Sequence, residues 1–393
     1  MKIAFFCDTY LPTKNGVASS ARTTAHELRA RGHRVVIFAP RSLDYTDTDP
    51  DVVRFASGYW YKAPDYPVAF PFLSRVAPRT AYRFAREGFD LVHVHSPFVL
   101  GNLGAHWANF HGLPLVWTFH TFYHHYTHYS ITPSDTSRTY ILWRIRRMLW
   151  KCNRVIAPSH AVERVITRIW PSAPTRVVPT GVDLARFSGG KRRETRAQWG
   201  IADEEVALLY VGRLVAEKNL DFLMRSVAPV LRNHPAKLVL VGGGPSQESL
   251  RDLARELGIA SRVIFTGFIE PEGVANFYAL ADIFTFASRT ETQGLSIAEA
   301  LCAGLPCVVV NAMGAAEAIE PDEDGFLVPP QENRFGAAVE RLVFDTDLRA
   351  RMSCQARARA PRFSKERRVS ELLTLYKESI EEVSSRTKRF DLV

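Results

Sequence analysis

The sequence lacks long hydrophobic runs and is poor in cysteine. No apolar stretch in its 393 residues approaches the ~18 residues of a transmembrane helix, and only one charged residue, Lys2, lies ahead of the first strand-like run. The five cysteines are an odd number without the spacing of a disulfide framework, which predicts reduced residues of the core. We therefore expect a cytoplasmic protein that is neither secreted nor transmembrane.

The sequence also lacks internal repeats and low-complexity tracts, while strand-like runs alternate with helical patterns along most of it. One series runs from residue 3 to residue 157 and a second from 206 to 310, which predicts α/β domains with parallel sheets. A length of 393 residues suits two domains of roughly 180 residues. We place them at 1–184 and 185–364, followed by a helical segment at 365–393, and expect residues 188–193 to form a mobile connector.

Basic charge is concentrated towards the two ends of the chain. Residues 1–180 carry 22 basic and 11 acidic side chains, residues 181–348 carry 16 and 24, and residues 349–393 carry 12 and 6. This distribution suits contact with an anionic membrane, where a well-placed Lys or Arg contributes about 1 kcal/mol, but it also suits an ordinary solvated surface. No nucleic-acid-binding module accompanies the charge, so we do not expect nucleic acid as a partner.

Two glutamates stand out in residues 288–306. Glu291 lies in a Gly-containing loop after an apolar strand, and Glu299 follows eight residues later inside a predicted helix. The spacing alone is uninformative, since Glu248 and Glu256 share it. The context predicts that Glu291 lies near the unpaired N–H groups of a helix N-terminus, where a phosphate or a sugar hydroxyl can bind. Glu299 is then expected to contact a more distant part of the same ligand.

Loops after other predicted strands carry cations and glycines. Arg213 and Lys218 follow the strand at 206–211, where two cations either neutralise a departing nucleotide diphosphate or are solvated charges at a helix start. Gly16 follows the first strand, and Gly243 lies in a Gly-rich loop between a strand and a helix. Each glycine permits close approach of the backbone to a phosphate, although a tight turn uses the same residue.

Histidines are concentrated after a predicted strand of the first domain. His120, His124 and His128 recur at a four-residue spacing, as in some zinc sites. We reject a metal site, because the H-E-x-x-H pattern is absent and no Cys or acidic residue with metal-site spacing lies nearby. His93 and His95 alternate with Val in a strand, which predicts buried and hydrogen-bonded side chains.

Two segments of the first domain combine aromatic and basic residues. Residues 59–73 are rich in aromatics and proline and poor in acids, and residues 140–150 mix tryptophans with arginines. A basic amphipathic helix with tryptophans either rests in the headgroup layer of a membrane or packs on its own domain with its arginines in water. Charge alone leaves both alternatives open, and the aromatic pattern agrees with the membrane. The candidate membrane and acceptor residues are Trp60, Tyr61, Phe72, Trp143, Arg144, Arg146, Arg147 and Trp150.

Segments along nearly the whole chain resemble one family of enzymes. They are, in order, FFCDTYLPTKNGVASSARTTAHELRARGHRVVIFAP, VWTFHTFYHHYTHY, VIAPSHAVERVI, VVPTGVDLARF, YVGRLVAEKNLDFLM, LVGGGPSQESL and the Glu291 region. The set is similar to retaining glycosyltransferases of family 4, whose E-x7-E signature falls on Glu291 and Glu299. The TQGL after Glu291 most resembles bacterial 1,2-diacylglycerol 3-glucosyltransferases. The resemblance implies the GT-B architecture, with two facing Rossmann-like domains and a C-terminal helix that crosses back to the first domain.

The resemblance also implies a reaction and a site. The reaction is transfer of glucose from UDP-glucose to diacylglycerol, with retention of configuration, without a metal or other cofactor, on the cytoplasmic face of the cell membrane. Arg213 and Lys218 would hold the diphosphate, while Glu291 binds sugar hydroxyls. His120 would lie close to the transferred sugar and Glu299 would bind the ribose. Further donor contacts are implied for Gly16, Gly243, Gln293, Gly294, Leu295 and Ser296.

Three alternatives stay open. In the first, the donor is GDP-mannose or another sugar nucleotide, and the acceptor is phosphatidylinositol, a polysaccharide or a soluble sugar. Gln293 bears on this choice, because the family more often has Phe at the position before the glycine. A nucleotide-sugar epimerase has similar facing domains and needs no acceptor. A non-catalytic module for anionic membranes is the third alternative, but such a module does not require the two cations and the two glutamates together.

Overall fold

The computed structural model of the protein describes residues 1–13, 15–43, 45–60, 63–71, 77–122 and 135–390. For residues 60, 63–66, 77–78, 135–137 and 386–390 only the backbone is described. The chain divides into two compact units. Unit 1 consists of Met1–Gly181 together with Lys365–Val393, and unit 2 consists of Val182–Ser364.

Strands and helices alternate along both units. The described strands are β1 (Lys2–Phe6), β2 (Arg34–Pro40), β3 (Val52–Phe55), β4 (Ser57–Trp60), β5 (Ala63–Ala69), β6 (Leu91–Val94), β7 (Leu115–Thr118), β8 (Arg154–Ala157), β9 (Thr175–Val177), β10 (Val206–Val211), β11 (Ala236–Val241), β12 (Val263–Gly267), β13 (Ile283–Phe286), β14 (Cys307–Val310) and β15 (Gly325–Val328). The described α-helices are α1 (Gly16–Ala30), α2 (Ala77–Glu87), α3 (Val99–Phe110), α4 (Asp135–Lys151), α5 (His160–Ile169), α6 (Leu184–Ser188), α7 (Arg192–Gln198), α8 (Leu220–Asn233), α9 (Gln247–Glu256), α10 (Pro271–Leu280), α11 (Leu295–Cys302), α12 (Met313–Ala316), α13 (Glu332–Phe344), α14 (Thr346–Arg359) and α15 (Lys365–Phe390). Within these ranges no helix is both long and apolar enough to cross a bilayer.

Unit 1 is built on a parallel sheet with the strand order β3-β2-β1-β6-β7-β8-β9. Its central strands are apolar almost throughout, as in β1 (KIAFF) and β2 (RVVIFAP), because both faces of a parallel sheet are covered. β4 and β5 form a separate antiparallel hairpin. The chain adds β2 and β3 on one side of β1 and β6 on the other, so the strand order reverses between β1 and β6.

Unit 2 is built on a second parallel sheet with the strand order β12-β11-β10-β13-β14-β15. Here the order reverses between β10 and β13. In doubly wound sheets, ligands bind outside the carboxyl ends of the strands at such a reversal. The loops after β10 and β13, and those after β1 and β6 in unit 1, are therefore the places where functional residues are expected.

The C-terminal helix belongs to unit 1, as predicted. α15 packs against α1, and Lys365 at its start pairs with Glu27 of α1 at 2.9 Å. Its apolar side joins the core formed by β1, β2 and α1 through Val369, Leu372, Leu375 and Tyr376, all buried. A segment far away in sequence thus completes the core of the first unit.

The mobility expected of residues 188–193 stays a prediction, although Arg192 near the end of this segment is held within unit 2 by an ion pair. Arg192 starts α7 and pairs with Asp282 at 2.7 Å, and Arg196 pairs with the same carboxylate at 3.1 Å. Arg196 is 1% exposed and also donates to the carbonyl oxygens of Leu280, Ala202 and Glu205. Arg192 and Arg196 therefore tie α7 to the rest of unit 2.

Candidate active site

The reversal of strand order in unit 2 brings a cation and a carboxylate into direct contact. Lys218 lies in the loop after β10, and its Nζ donates to Oε1 of Glu291, which lies in the loop after β13. The two side chains are 20% and 18% exposed. The Glu291 carbonyl accepts from the Gly314 amide at 3.0 Å, which fixes this loop to α12. Because the pair is partly removed from water, its charges interact more strongly than those of a surface ion pair.

Hydrogen bonds from side chains to backbone carbonyls hold the same two loops together. Asn219, which has a left-handed backbone with φ 57°, donates from Nδ2 to the Ala287 carbonyl at 3.2 Å. Ser288 is fully buried and donates from Oγ to the Glu217 carbonyl at 3.2 Å. The position of the ion pair is thus set by the hydrogen bonds between the two loops as well as by the attraction between Lys218 and Glu291.

Arg213 lies on the same loop as Lys218 but is more open, with 41% of its side chain exposed. Its guanidinium pairs with Glu217 at 3.3 Å, and its carbonyl accepts from the Tyr210 hydroxyl at 3.1 Å. Burial raises the pKa of Tyr210 well above its ordinary value, so its hydroxyl stays protonated. The loop therefore presents two cations, one partly desolvated and one facing solvent.

The glycine loop after β11 packs directly on the loop that carries Arg213. Leu214 N donates to the Gly243 carbonyl at 2.9 Å. A Cβ at Gly244 would lie 2.3 Å from the Leu214 oxygen, and one at Gly242 would lie 2.0 Å from the Gly212 oxygen. Gly243 itself has room, since the nearest atom to a Cβ there is 3.8 Å away. Two of the three glycines are thus required by loop packing, and Gly243 is the one that leaves space.

The start of α11 contains the other predicted donor contacts. Gly294 has φ 76°, a conformation that favours glycine, and a Cβ there would lie 2.9 Å from Ile297 Cδ1. Gln293, Leu295 and Ser296 around it are half-buried. The first N–H groups of a helix point outward from its start, so this turn can hold an anion or an oxygen-rich group.

Glu299, one turn further along α11, has a different partner from Glu291. Its Oε2 accepts from the Tyr278 hydroxyl of α10 at 2.7 Å. Burial raises the pKa of Glu299 above its ordinary value, while the Tyr278 bond and the charge of Arg186 act in the opposite direction. The two glutamates therefore occupy different environments, one paired with a cation and one with a buried hydroxyl.

In unit 1, Asp8 follows β1 at the reversal of strand order. It accepts from the backbone N–H of Leu100 at 2.8 Å and of Gly101 at 3.2 Å, and from the Ser96 hydroxyl. Burial raises the pKa of Asp8, and these hydrogen bonds lower it. A Cβ at Gly101 would lie 1.7 Å from the Ser96 carbonyl oxygen. Asp8 thus caps α3 from a neighbouring strand and fixes the loop between β6 and α3.

His120, the predicted sugar contact, is hydrogen-bonded to another histidine. It follows β7, and its Nε2 lies 2.9 Å from Nδ1 of His95, which follows β6. Burial lowers the pKa of His120 to about 4 and that of His95 well below its ordinary value. Both imidazoles are therefore neutral at pH 7.

His93 is buried and hydrogen-bonded, as predicted, with Nδ1 2.6 Å from the Tyr376 hydroxyl and Nε2 2.7 Å from Thr118 Oγ1. Burial lowers its pKa to about 3. For His95 the prediction of a satisfied side chain is only half right, because its buried Nε2 has no hydrogen-bond partner among the described residues.

Gly16 begins α1 and is exposed, with no atom within 4 Å of a Cβ built on it. Asn15 caps the helix by accepting from Ala18 N at 2.8 Å, and its Nδ2 donates to Thr9 Oγ1 at 3.0 Å. The helix start is thus preformed and open. His124 and His128, which share the four-residue spacing of His120, lie outside the described residues.

The exposed side of α4 carries a stripe of tryptophans and arginines, here called the α4 stripe: Trp143, Arg146, Arg147 and Trp150. The two tryptophans are 50% and 71% exposed, and the Arg147 guanidinium lies 5.5 Å from the Trp143 ring. With Trp170 the stripe lines a shallow groove of about 330 Å³. The opposite side of α4 is buried through Ile145, Met148 and Leu149. The helix therefore packs on its unit and still presents an aromatic and basic surface.

The other predicted membrane residues are distributed differently. Arg144 points to its own unit, donating to the Pro97 carbonyl at 3.3 Å and to the Tyr140 hydroxyl at 3.0 Å. Trp60 ends β4, but only its backbone is described. Tyr61 and Phe72 lie outside the described residues.

Three residues that shape the site were not identified from the sequence. Asp8 had a visible signal, an acid at the end of the first strand, where a doubly wound sheet reverses its order. Glu217 lies four residues after Arg213, a spacing that permits an ion pair on one turn. Tyr278 had no signal in the sequence, because an aromatic residue in an apolar helix is expected to lie in the core. Only the structure shows that its hydroxyl donates to Glu299.

Comparison with protein families divides the chain close to the boundary between the two units. Residues 14–186 match the family described as Glycosyltransferase Family 4, and residues 191–359 match Glycosyl transferases group 1. The first match falls almost entirely in unit 1 and the second entirely in unit 2.

Individual proteins extend this likeness over most of the chain. It is 34% identical to alpha-monoglucosyldiacylglycerol synthase of Streptococcus pneumoniae, over 88% of this chain and 80% of that protein. It is 30% identical to GDP-mannose-dependent alpha-mannosyltransferase of Mycobacterium tuberculosis, over 91% and 93%. HepE of Anabaena, solved in complex with UDP, has the same fold with a TM-score of 0.75 at 21% identity, over 95% of this chain and 100% of that one. The chain therefore belongs to glycosyltransferase family 4 and has the GT-B architecture of two parallel-sheet α/β domains.

Proposed function

We propose that the protein is a retaining glucosyltransferase that transfers glucose from UDP-glucose to diacylglycerol at a membrane surface. The contact of Lys218 with Glu291 across the reversal of strand order carries the proposal, because it sets a cation and a carboxylate where a nucleotide diphosphate would meet its sugar. Glucose and diacylglycerol are supported by the likeness to the pneumococcal alpha-monoglucosyldiacylglycerol synthase.

The two cations of unit 2 assist departure of UDP. Lys218 and Arg213 balance the negative charge that grows on the diphosphate as its bond to the sugar breaks. Lys218 is only 20% exposed, so its charge is weakly screened, and Arg213 can make two parallel hydrogen bonds to phosphate oxygens. With two cations in place, this step is proposed to run without a metal.

The rest of the donor follows the line of α11. Glu291 accepts hydrogen bonds from sugar hydroxyls, and the turn at residues 293–296 offers its N–H groups to the sugar and the phosphates. Glu299 binds the ribose, held in position by the Tyr278 hydroxyl. The two glutamates thus recognise opposite ends of one ligand.

Retention of configuration follows when the acceptor hydroxyl attacks from the side on which UDP leaves. The departing phosphate oxygen then takes the acceptor proton, so no separate base is required. His120, neutral at pH 7 because burial lowers its pKa to about 4, contacts the sugar as a hydrogen-bonding group and not as a cation.

The α4 stripe is the proposed membrane contact of unit 1. Exposed tryptophans favour the interface between water and lipid, and arginines beside them attract anionic headgroups. The protein is then peripheral on the cytoplasmic face of the membrane, where diacylglycerol is reached from the surface. The acceptor and the membrane are thus assigned to unit 1 and the nucleotide sugar to unit 2.

Purified protein, diacylglycerol vesicles with or without anionic lipid, and a panel of UDP- and GDP-sugars test the proposal, with products identified by mass spectrometry. Hexosyl-diacylglycerol from UDP-glucose, formed faster with anionic lipid, is the expected result.

Arg147→Glu should weaken sedimentation with anionic vesicles roughly tenfold, since it replaces attraction of about 1 kcal/mol by repulsion. Arg193→Glu, the same change at an exposed residue of unit 2, should leave binding unaltered. Equal binding of both variants contradicts the membrane role of the stripe.

A second candidate is a GDP-mannose-dependent transferase, favoured by the 30% identity to the mycobacterial enzyme over 91% of this chain. In the same assay it would yield product only from GDP-mannose, with phosphatidylinositol, a polysaccharide or a soluble sugar as acceptor. A new sugar nucleotide formed without any acceptor would instead indicate an epimerase. Each outcome keeps unit 2 as the donor-binding unit and changes the substrate.

A further inference from the structure

His95 and His120 share a hydrogen bond in a pocket that also contains the rings of Phe5 and His93. Nδ1 of His95 lies 2.9 Å from Nε2 of His120, and the rings are nearly parallel with centroids 5.2 Å apart. The Phe5 ring lies 4.7 Å from the His95 ring. His95 is 2% exposed, and its buried Nε2 has no hydrogen-bond partner among the described residues. The pocket thus supplies one partner to His95 and none to its second nitrogen.

The backbone leaves these two rings little freedom. His95 follows β6 and its N–H donates to the Phe6 carbonyl at 2.9 Å, while Phe119 N, next to His120, donates to the Ile156 carbonyl at 2.9 Å. β6 and β7 are neighbours in the sheet, so the residues that follow them meet at one edge. The contact between the imidazoles is therefore set by the sheet.

Only two arrangements of protons fit two neutral imidazoles. In the first, His95 Nδ1–H donates to His120 Nε2, and the unpartnered Nε2 of His95 is a bare lone pair. In the second, His120 Nε2–H donates to His95 Nδ1, and His95 must carry its proton on the unpartnered Nε2. Buried N–H groups without an acceptor are rarer in proteins than buried acceptors without a donor, so the first arrangement is favoured.

We propose that His95 is a positioning residue whose Nδ1–H donates to Nε2 of His120 and holds His120 in the Nδ1–H tautomer. The tautomer is a property of the protein alone, and only its effect on turnover rests on the proposed function. With its Nε2 lone pair occupied, His120 cannot take a proton from the acceptor. The proton of His120 is then carried on Nδ1.

Nuclear magnetic resonance of protein labelled with 15N-histidine tests the tautomer directly, because long-range 1H–15N correlations differ between Nδ1–H and Nε2–H imidazoles. His120→Gln identifies the His120 signals among the 12 histidines. The Nδ1–H pattern is expected for His120. In His95→Leu, which removes the donor, His120 should shift towards Nε2–H. In His95→Asn, whose amide NH₂ lies near the position of Nδ1, His120 should keep the Nδ1–H pattern.

Turnover should follow the tautomer. His95→Leu should lower kcat roughly tenfold or more, with a smaller change in KM for the sugar nucleotide, and His95→Asn should recover most of the loss. His106→Leu, the same change at an exposed position of α3, serves as the control.

An Nε2–H pattern for His120 in the unaltered protein overturns the proposal, as does an unchanged pattern in His95→Leu. If His95→Leu fails to fold, the spectra of the unaltered protein and of His95→Asn still decide the tautomer. Failure of every sugar nucleotide in the transfer assay would remove the proposed function and leave this assignment standing.

Discussion

At the scale of single residues, the charge on Glu291 is balanced by Lys218, and Glu291→Gln removes the charge while keeping the shape. We expect turnover to fall roughly a hundredfold, the size of effect seen when one charge-stabilising contact is lost, with the fold intact. Initial rates of hexosyl transfer and thermal melting measure the two effects. Glu248→Gln, at a side chain 82% exposed on α9, is the matched control. Unaltered turnover in Glu291→Gln would remove Glu291 from the site.

Buried neutral histidines make the stability of unit 1 depend on pH. Burial holds the pKa of His93 at about 3, against 6.5 for the ordinary side chain, so below pH 6.5 the unfolded chain takes up a proton that the folded one refuses. Acidification from pH 6.5 to 5 should therefore lower the free energy of unfolding by about 2 kcal/mol through His93 alone. His95 and His120 act in the same direction.

Urea unfolding at pH 6.5 and pH 5, followed by tryptophan fluorescence, measures this effect, because all tryptophans except Trp199 lie in residues 1–181. His93→Gln should lose less stability than the unaltered protein between the two pH values, whatever its stability at pH 6.5. An identical loss in both proteins would show that His93 does not titrate on unfolding.

The residues of the site were predicted unevenly. The sequence locates the loops after β10 and β13, where ligands bind in such sheets, and the structure brings Lys218 and Glu291 of these loops together. The roles of Arg213, Lys218 and Glu291 stay predictions that depend on the family resemblance. The pairing of His95 with His120 was not found, because it depends on which strands are neighbours, and β6 and β7 become neighbours only in the folded sheet. The local sequence predicts where a loop lies, but it does not predict which side chain of another loop it contacts.

At the scale of elements, substitution of loop glycines distinguishes the glycines required for packing of the backbone from those that let a ligand approach it. Gly16→Ala meets no atom within 4 Å at the start of α1, so melting should be unchanged and any rise in KM for the donor reports a ligand close to the backbone. Gly244→Ala places a Cβ 2.3 Å from the Leu214 oxygen and should destabilise unit 2. Thermal melting with donor titration distinguishes them. A large loss of stability in Gly16→Ala would contradict the open helix start.

The strands were predictable where they are apolar and central. β1, β2, β10 and β11 are continuous apolar runs, and the sequence locates each of them. β9 is the three-residue segment TRV with no buried residue, so it has no apolar run to detect and forms because β8 offers a free edge. Edge strands of this kind are determined by their neighbours and not by their own composition.

At the scale of the whole molecule, unit 2 is one continuous stretch with its own core. Val182–Ser364 closes on itself where Val182 N donates to the Phe363 carbonyl at 2.8 Å, so both ends of the unit meet. We expect a fragment of residues 182–364 to fold cooperatively and to bind UDP. Circular dichroism and calorimetric titration test this, with Glu299→Gln in the same fragment expected to bind UDP more weakly. An unfolded fragment contradicts the independence of the unit.

The domain pattern along the chain was readable because the alternation of strands and helices breaks between residues 157 and 206. The resemblance predicts that α15 returns to the first domain, but the sequence does not show which surface it covers: its apolar residues join the core formed by β1, β2 and α1. The pattern of an amphipathic helix shows that one side is buried, but not which surface it packs on.

This use of α15 has a consequence for synthesis on the ribosome. Residues 1–181 are synthesised before unit 2, yet part of the core around Ile3, Phe5, Val35 and Ile37 comes from α15, which is synthesised after it. At ordinary rates of translation, the whole of unit 2 is synthesised in between, a delay on the order of 10 to 40 s. During that interval unit 2 can complete its fold while the part of the unit 1 core that α15 fills stays open, although α1 already contributes Ala21, Ala25 and Leu28 to that core. We therefore expect unit 2 to become native before unit 1, with the nascent N-terminal segment as the part that a holding chaperone would need to shield.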